Sequence, residues 1–426
     1  MKKNILKFLI KIFNCRKNLL LSLFLLSIIS SVVFLALLGG VGPSQHNVPG
    51  TDYSNCYRPA ALSMLDSGKI YLEKGNHICS PPGYPFFLIG SIILSRLTGI
   101  DELQLILILN ILMIALAACL FFLMVDSLFG RKVSIISSLL WVSYPFSLWF
   151  LKNPNSEIPF IAFLFLGLWL FLSTLKKRNY GFLFFAGAIF GILALIRPIA
   201  LFLPLLFSLV SFSLMKEGDL RKRISFSLLF LTGGLIPVFL WEVAIVSLTG
   251  QFILLSSSGP QAVIDGLTFA SRTGAGGDKV LVSGDVSLFM DRVRGADLQN
   301  GGQLFGFLKN ELIQNPMTVI KMMGWKLVRA WYATSQMWWE GKILLVQLPY
   351  LLSGLFGIIY LFRKKEKIWQ AFFLLFLIFY FWAMTIVALS ILRYMVPAMA
   401  FLIVFSAITI GLIVDYFLKK NKSEEK

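Results

Sequence analysis

Long apolar runs separated by short charged loops dominate this chain. A bilayer core of about 30 Å needs roughly 17–25 apolar helical residues at a rise of about 1.5 Å each. Runs near 19–41, 103–126, 133–150, 158–175, 180–198, 199–215, 224–249, 343–362, 368–389 and 394–418 meet that length and are read as spans. A further run, Phe86 to Leu97, is only a dozen residues long and ends at Thr98-Gly99, so it is expected to lie at the membrane surface or re-enter. Two polar stretches interrupt the pattern. Residues 42–82 form a loop ending in PPGYP (Pro81 to Pro85), and Gly250 to about Lys342 form a Gly/Ser/Asp-rich region too long for a simple connector. The pattern predicts an all-α polytopic membrane protein with juxtamembrane helices and two extracytoplasmic loops. Its expected parts are a basic tail (1–18), a transmembrane module (19–249), a cap (250–342) and C-terminal spans with a tail (343–426).

Within the cap, Asn315 before Pro316 marks a helix start for NPMTVIKMMGWKLVRAWY. At helical spacing Lys321, Lys326 and Arg329 share one side, and with Trp325 and Trp331 this suits either a headgroup-facing segment or an ordinary lead-in to the next span. Trp338, Trp339 and Tyr332 fit an interfacial belt.

Composition agrees with the pattern. The chain has 426 residues, 57% hydrophobic and 14% charged, with a mean hydropathy of +0.80, outside the range of soluble domains. A net charge of +18 would suggest nucleic acid in a soluble protein. Here the basic residues gather beside spans, in the N-terminal tail and at Arg131-Lys132, Lys176 to Arg178, Arg221 to Arg223, Arg363 to Lys367 and Lys419 onward. Such clusters mark the cytoplasmic side, and all fall there if the N-terminus is inside and the 86–97 run does not cross. Nucleic acid is not an expected partner; membrane lipids are. Cys56 and Cys79 share the first loop, where a disulfide and two free thiols are both open readings. No internal repeat, Walker loop, HExxH, zinc-ligand cluster or serine-hydrolase elbow is present.

The chemistry must come from the few charges near membrane level. Lys152, Glu157, Arg197, Glu242 and Arg393 all fall at the outer ends of expected spans, with Asp52 in the loop above. A charge at the centre of a lipid-exposed helix costs on the order of 2–3 kcal/mol, so these residues are expected to line one polar cavity instead. Two carboxylates beside fixed cations suit a phosphate-activated lipid. A carboxylate can deprotonate an incoming hydroxyl, and an arginine offers a planar fork to a departing phosphate. The same charges would also suit translocation of a lipid phosphate without chemistry.

The stretches TDYSNCYRPAALSML, PPGYPFFL, LLWVSYPFSLWFLKNPNSEIPF, ALIRPIALFLP and ILRYMVPAMAF resemble, in that order, the polyprenol-phosphate-sugar-dependent glycosyltransferases of the GT-C superfamily. The protein-mannosyltransferase and aminoarabinose-transferase-like branch is the nearest in pattern. The resemblance implies that Asp52 is the catalytic base, that Glu157 takes the acidic position of the second outside loop, and that the proline pair opens a juxtamembrane helix. Where the family often has a second acid beside the first, this chain has Tyr53. Where many relatives carry an acidic or basic residue before the proline pair, it has Cys79-Ser80, so the resemblance carries no metal ligand over to that position. On this reading Arg197, Arg393 and Lys152 bind the donor phosphate, while Tyr53, Tyr57, Tyr84 and His77 contact substrate. No metal is required, although a divalent ion is compatible with the family. The expected function is inverting transfer of a sugar from a polyprenyl-phosphate donor to a lipid, glycan or protein acceptor on the outer face of a plasma (inner) membrane. A polysaccharide polymerase or ligase and a non-enzymatic lipid transporter are the alternatives.

The topology is directly testable. A cysteine at Ser44 or Gly276 should react with an impermeant maleimide from outside intact cells, and one at Lys177 or Lys364 should not. Outside labelling of Lys177→Cys would invert the module and put Glu157 on the wrong side.

Overall fold

A computed structural model describes residues 16–38, 51–72, 77–177, 181–214, 219–269, 282, 284–334 and 339–424. The start of the first loop, the Gly-rich stretch before residue 282 and Trp338 lie outside them. Every regular element among the described residues is helical. The chain divides into two compact units, residues 1–256 and 257–426, which are treated separately below.

The first unit contains α1 (Arg16–Leu37), α2 (Arg58–Ser67), α3 (Gly83–Thr98), α4 (Glu102–Phe129), α5 (Arg131–Val142), α6 (Glu157–Lys177), α7 (Gly181–Ile196), α8 (Leu203–Leu214) and α9 (Leu220–Thr249). In the second are α10 (Gly259–Leu267), α11 (Gly284–Gly295), α12 (Gly301–Gln314), α13 (Pro316–Arg329), α14 (Glu340–Lys364), α15 (Ile368–Val387) and α16 (Leu392–Glu424). Seven of these helices are long and apolar enough to cross a membrane, and an eighth crossing arises if α5 and Pro145–Lys152, bent by 51°, count as one. The chain is a multi-pass integral membrane protein. Among the described residues this count does not reach the ten spans expected, because the 180–198 and 199–215 runs fold as shorter apolar helices. The 86–97 run is likewise short, a 16-residue helix with glycine at its left-handed C-cap.

Helix ends in the first unit follow from local chemistry. Asp101 starts α4 by accepting from the Leu103 and Gln104 amides at 3.0 and 3.2 Å. Gly187 and Gly191, on one side of α7, meet Phe230 and Gly234 of α9 at backbone distance, so a side chain would collide with a main-chain carbonyl. Small residues of this kind let membrane helices approach closely when lipid gives no hydrophobic drive. Two of the helix breaks are prolines. Tyr144 is extended before Pro145, and Arg197 is extended (φ −146°, ψ 124°) before Pro198, as the ring of a following proline demands.

The first loop is folded onto this bundle. A Cys56–Cys79 disulfide closes it, resolving the alternative left by the sequence. Tyr53, Tyr84, Leu88, Ile92, Leu103 and Ile106 form a core beneath it. Gly83 of PPGYP explains part of that motif: a Cβ there would lie 2.6–2.7 Å from backbone atoms of Leu195 and Ile196, immediately before Arg197.

In the second unit, α10 to α13 enclose a small core built on Leu267, Phe289, Met290, Val293 and Met322. Arg292 grips Glu311 through two hydrogen bonds of 2.7 and 2.8 Å, and Lys321 reaches Asp285 at 2.8 Å. The expected headgroup-facing cations of α13 are mostly not outward. Lys326 is fully buried, donating to the Ala388 carbonyl at 2.8 Å, with its ammonium pushed down to about 7 by burial. Arg329 is buried too and holds Glu340 through a paired contact of 2.8 and 2.9 Å. Arg393 opens α16, just after the Leu392 amide donates to the Ala333 carbonyl at 2.9 Å.

The close approach at Gly83 yields a prediction with an internal control. Gly83→Ala should destabilise the protein by about 1–3 kcal/mol, because the neighbouring atoms are main chain and cannot yield. Gly90→Ala in the same helix meets nothing within 4 Å and should be neutral or slightly stabilising. Thermal unfolding in detergent distinguishes them; equal effects would show that the contact does not constrain α3.

Candidate active site

Breaks in the first unit bring polar side chains to one end of its bundle. After Pro145 the chain runs through a short 3-10 segment to Asn153, and Asn155 then organises the NPNSE turn. The Asn155 amide donates to the carbonyls of Phe150 and Asn153, both at 2.6 Å, while its oxygen accepts from the Glu157 amide at 3.2 Å. This fixes Ser156 and Glu157 at the start of α6. Across from them, the extended residue between α7 and Pro198 is Arg197.

Arg197 and Glu157 form an ion pair, with the arginine also 3.4 Å from the Ser156 hydroxyl. Glu157 is 3% exposed and Arg197 9%, so the pair is shielded from bulk solvent. Tyr57, on the π-helical turn Tyr53–Tyr57 of the first loop, lies within electrostatic reach of this pair. Its hydroxyl is pushed up to about 12, chiefly by burial and then by the negative charges of Asp52 and Glu157, with Arg197 and Ser156 opposing the shift. Asp52 lies at the head of the same turn and is exposed. The arrangement therefore sets an accessible carboxylate and a phenol close to a buried carboxylate–guanidinium pair. Tyr84 packs edge-on against Tyr57 with ring centroids 4.8 Å apart, from the start of α3.

Other candidates are used elsewhere. Tyr53 turns away from this group and donates to Glu102 at 2.6 Å, where Arg58 also binds at 3.0–3.2 Å. That triad pins the first loop to the start of α4. Burial and the neighbouring Glu102 both hold the Tyr53 hydroxyl well above its ordinary value. Lys152 donates to the Leu38 carbonyl at 3.2 Å and sits 4.9 Å over the Trp149 ring, so it finishes the end of α1. Glu242 accepts from the Leu255 amide at 2.7 Å, and Trp241 donates to the Leu255 carbonyl at 2.9 Å; together they hold the turn after α9 rather than an arginine. His77 is partly buried beside the disulfide. Arg393 belongs to the second unit. Residues not singled out from sequence are Asn155 and Ser156, whose signal was the turn-forming NPNS, and the Arg58–Glu102 pair, whose signal was an acid in the first turn after Asp101.

Among the described residues no three His, Cys, Asp or Glu side chains gather as metal ligands. Asp52 and Glu157 offer two carboxylates, one already engaged by Arg197, which is a poor fit to a hard divalent cation that takes six or more oxygens.

Residues 80–241, less than half of the chain, match the family described as dolichyl-phosphate-mannose-protein mannosyltransferase; the match includes Glu157 and Arg197 but not Asp52. The Archaeoglobus fulgidus oligosaccharyltransferase, tethered with an acceptor peptide containing the NVT sequon, overlays with a TM-score of 0.56 at 14% identity, covering 94% of this chain and 50% of the archaeal one. The fold is that of the archaeal oligosaccharyltransferase. The same archaeal enzyme in complex with Zn and sulfate overlays at a TM-score of 0.51 and 15% identity, over 92% of this chain and 49% of that one. The chain thus spans about half the length of the archaeal protein it overlays. ArnT from Cupriavidus metallidurans, bound to undecaprenyl phosphate, gives a TM-score of 0.43 at 13% identity over 92% and 77% of the two chains, too distant to carry weight. Curated protein sequences give no match.

The buried pair predicts a non-additive mutant cycle. Glu157→Gln leaves a buried guanidinium without its counter-charge and should cost about 3–5 kcal/mol, as should Arg197→Gln. The double variant should cost less than the sum, measured as unfolding free energy in detergent. Strict additivity would mean that the two side chains do not depend on each other.

Proposed function

We propose that this chain is an inverting glycosyltransferase that takes a sugar from a polyprenyl-phosphate donor, with its active site at the outer face of a plasma (inner) membrane. The observation that carries this reading is that the first-loop turn bearing Asp52 and Tyr57 comes within electrostatic reach of the buried Glu157–Arg197 pair at one end of the membrane helices. A lipid-linked substrate enters from the bilayer, so a charged site at the end of apolar, membrane-length helices matches its amphipathic form.

In this mechanism an acceptor hydroxyl or amide gives its proton to the Asp52 carboxylate while its oxygen or nitrogen attacks the anomeric carbon from the face opposite the phosphate. The bond from that carbon to the phosphate oxygen breaks, and its electron pair leaves with polyprenyl phosphate. The configuration at the anomeric carbon inverts in this single displacement. Arg197 supplies fixed positive charge where negative charge develops on the leaving phosphate, and Glu157 holds the guanidinium in place before substrate arrives. Tyr57, protonated at neutral pH, serves as a hydrogen-bond donor to substrate oxygens and does not titrate. The protein-mannosyltransferase match over residues 80–241 favours transfer chemistry over translocation. The acceptor peptide in the archaeal structure makes a protein acceptor one of the three open classes, beside glycan and lipid.

Reconstituted protein incubated with radiolabelled polyprenyl-phosphate sugars and a membrane extract should move label onto an acceptor. Asp52→Asn should preserve donor binding and slow transfer by roughly a hundredfold or more, the usual contribution of a positioned base. Near-normal transfer by that variant would remove Asp52 from the mechanism. Movement of donor across the bilayer with no new glycosidic bond would replace the enzyme reading with a transporter.

A further inference from the structure

The hairpin formed by α12 and α13 is amphipathic in the wrong sense for a water-facing cap. On α13 the inward residues are Thr318, Met322, Lys326 and Arg329, two of them cations. Its outward residues include Met317, Ile320 and Val328, and α12 adds Phe305, Leu312 and Ile313. These six side chains are between 54% and 71% exposed. Helical spacing brings Met317 and Val328 onto one line along α13, and Phe305 and Leu312 onto one line along α12. The two stripes meet at the Asn315–Pro316 turn, where Ile313 and Met317 are both uncovered. The exposed Lys309 shares the α12 side with Phe305, Leu312 and Ile313, and its long stem can carry the ammonium out to headgroups. Soluble surfaces rarely expose an otherwise apolar band of this size, and when they do it marks an interaction site.

The position of the hairpin against a span identifies what covers it. Trp382 of α15 donates its indole hydrogen to the Leu327 carbonyl at 3.0 Å. Trp382 precedes the end of α15 at Val387, so Leu327 lies about 7 Å short of that end at a rise of about 1.5 Å per residue. Lys326 donates to Ala388 just past the same end. The C-terminal part of α13 therefore runs beside the last turn and a half of a membrane-spanning helix. Phe379 and Val387 on α15 are 55% and 61% exposed and belong to its lipid-facing side. Trp331 meets Trp382 edge-on with ring centroids 5.5 Å apart, and Lys342 lies over the exposed Trp339 ring at 4.3 Å, an aromatic and basic girdle of the kind found at the interface.

We propose that the α12–α13 hairpin is seated in the membrane, its apolar stripe in the boundary between headgroups and acyl chains of the leaflet where α15 ends, so that phospholipid is its partner. The stripe continues the lipid-facing surface of α15, while two cations of α13, Lys326 and Arg329, are turned inward onto Ala388 and Glu340. Lys321, paired with Asp285, stays at the polar edge. This assignment stands apart from the transfer chemistry and makes part of the second polar loop a membrane-inserted element.

Single cysteines at Ile313, Ile320 and Val328, with an exposed polar control at Asn310, in a chain carrying Cys15→Ser and Cys119→Ser, can be labelled with an environment-sensitive fluorophore. The full-length protein is then placed in phosphatidylcholine vesicles, with or without lipids carrying a nitroxide near the top of the acyl chain. Labels at the three apolar positions should be quenched by the nitroxide lipid several-fold more than the control and shielded from aqueous iodide. Iodide quenching equal to that at Asn310 would overturn the proposal, because the stripe then faces water. Protection from both quenchers would overturn it equally, because a protein, a second copy or another partner then covers the stripe.

Discussion

A carboxylate and a guanidinium buried at the end of an apolar helical bundle are stable there only together. Alone, either would have to draw in water or change its protonation, since the loss of hydration is not repaid by anything apolar. The Glu157–Arg197 pair is therefore a constraint on the surrounding backbone as well as a chemical feature. α6 must begin where Asn155 ends its turn, α7 must end where Pro198 forces the chain to extend, and Gly83 must remain free of a side chain so that α3 can press against Leu195 and Ile196 beside the arginine. The same prolines and glycines that interrupt the helices create the place where the charges sit.

The first loop depends on that pair in turn. Its π-helical turn brings Tyr57 within electrostatic reach of the pair and holds Asp52 exposed, while the disulfide at Cys56 and the Tyr53–Arg58–Glu102 triad anchor its back. Two acid environments result. Glu157 is neutralised by a fixed cation and is suited to positioning, whereas exposed Asp52 is free of burial and suited to accepting a proton from an incoming acceptor. That division is the physical basis for giving the two carboxylates different roles in the proposed transfer.

Sequence carried the membrane architecture well, because apolar run length and basic loop bias are properties of single segments. Glu157 and Arg197 were legible as charges at the same depth, and NPNSE and IRP each carry a local reason for a break at that level. Direction was not legible. Tyr53 and Tyr57 lie on one short turn, yet one serves the loop anchor and the other comes within reach of the ion pair. Lys152 and Glu242 share the expected depth but are engaged by Leu38 and Leu255, contacts between segments that no periodicity encodes. Helix α13 makes the same point in reverse: spacing put Lys326 and Arg329 on one face but did not say that this face would be the inner one.

Stereochemistry and stoichiometry of a single turnover test the central claim most directly. With a polyprenyl-phosphate sugar of defined anomeric configuration and a purified acceptor, nuclear magnetic resonance of the product and phosphate analysis of the lipid can be read in one reaction. A single displacement at this site predicts a product of opposite anomeric configuration and one equivalent of polyprenyl phosphate released per sugar transferred. Retained configuration would require a covalent sugar–enzyme intermediate for which Asp52 close to the Glu157–Arg197 pair provides no role, and would contradict the account.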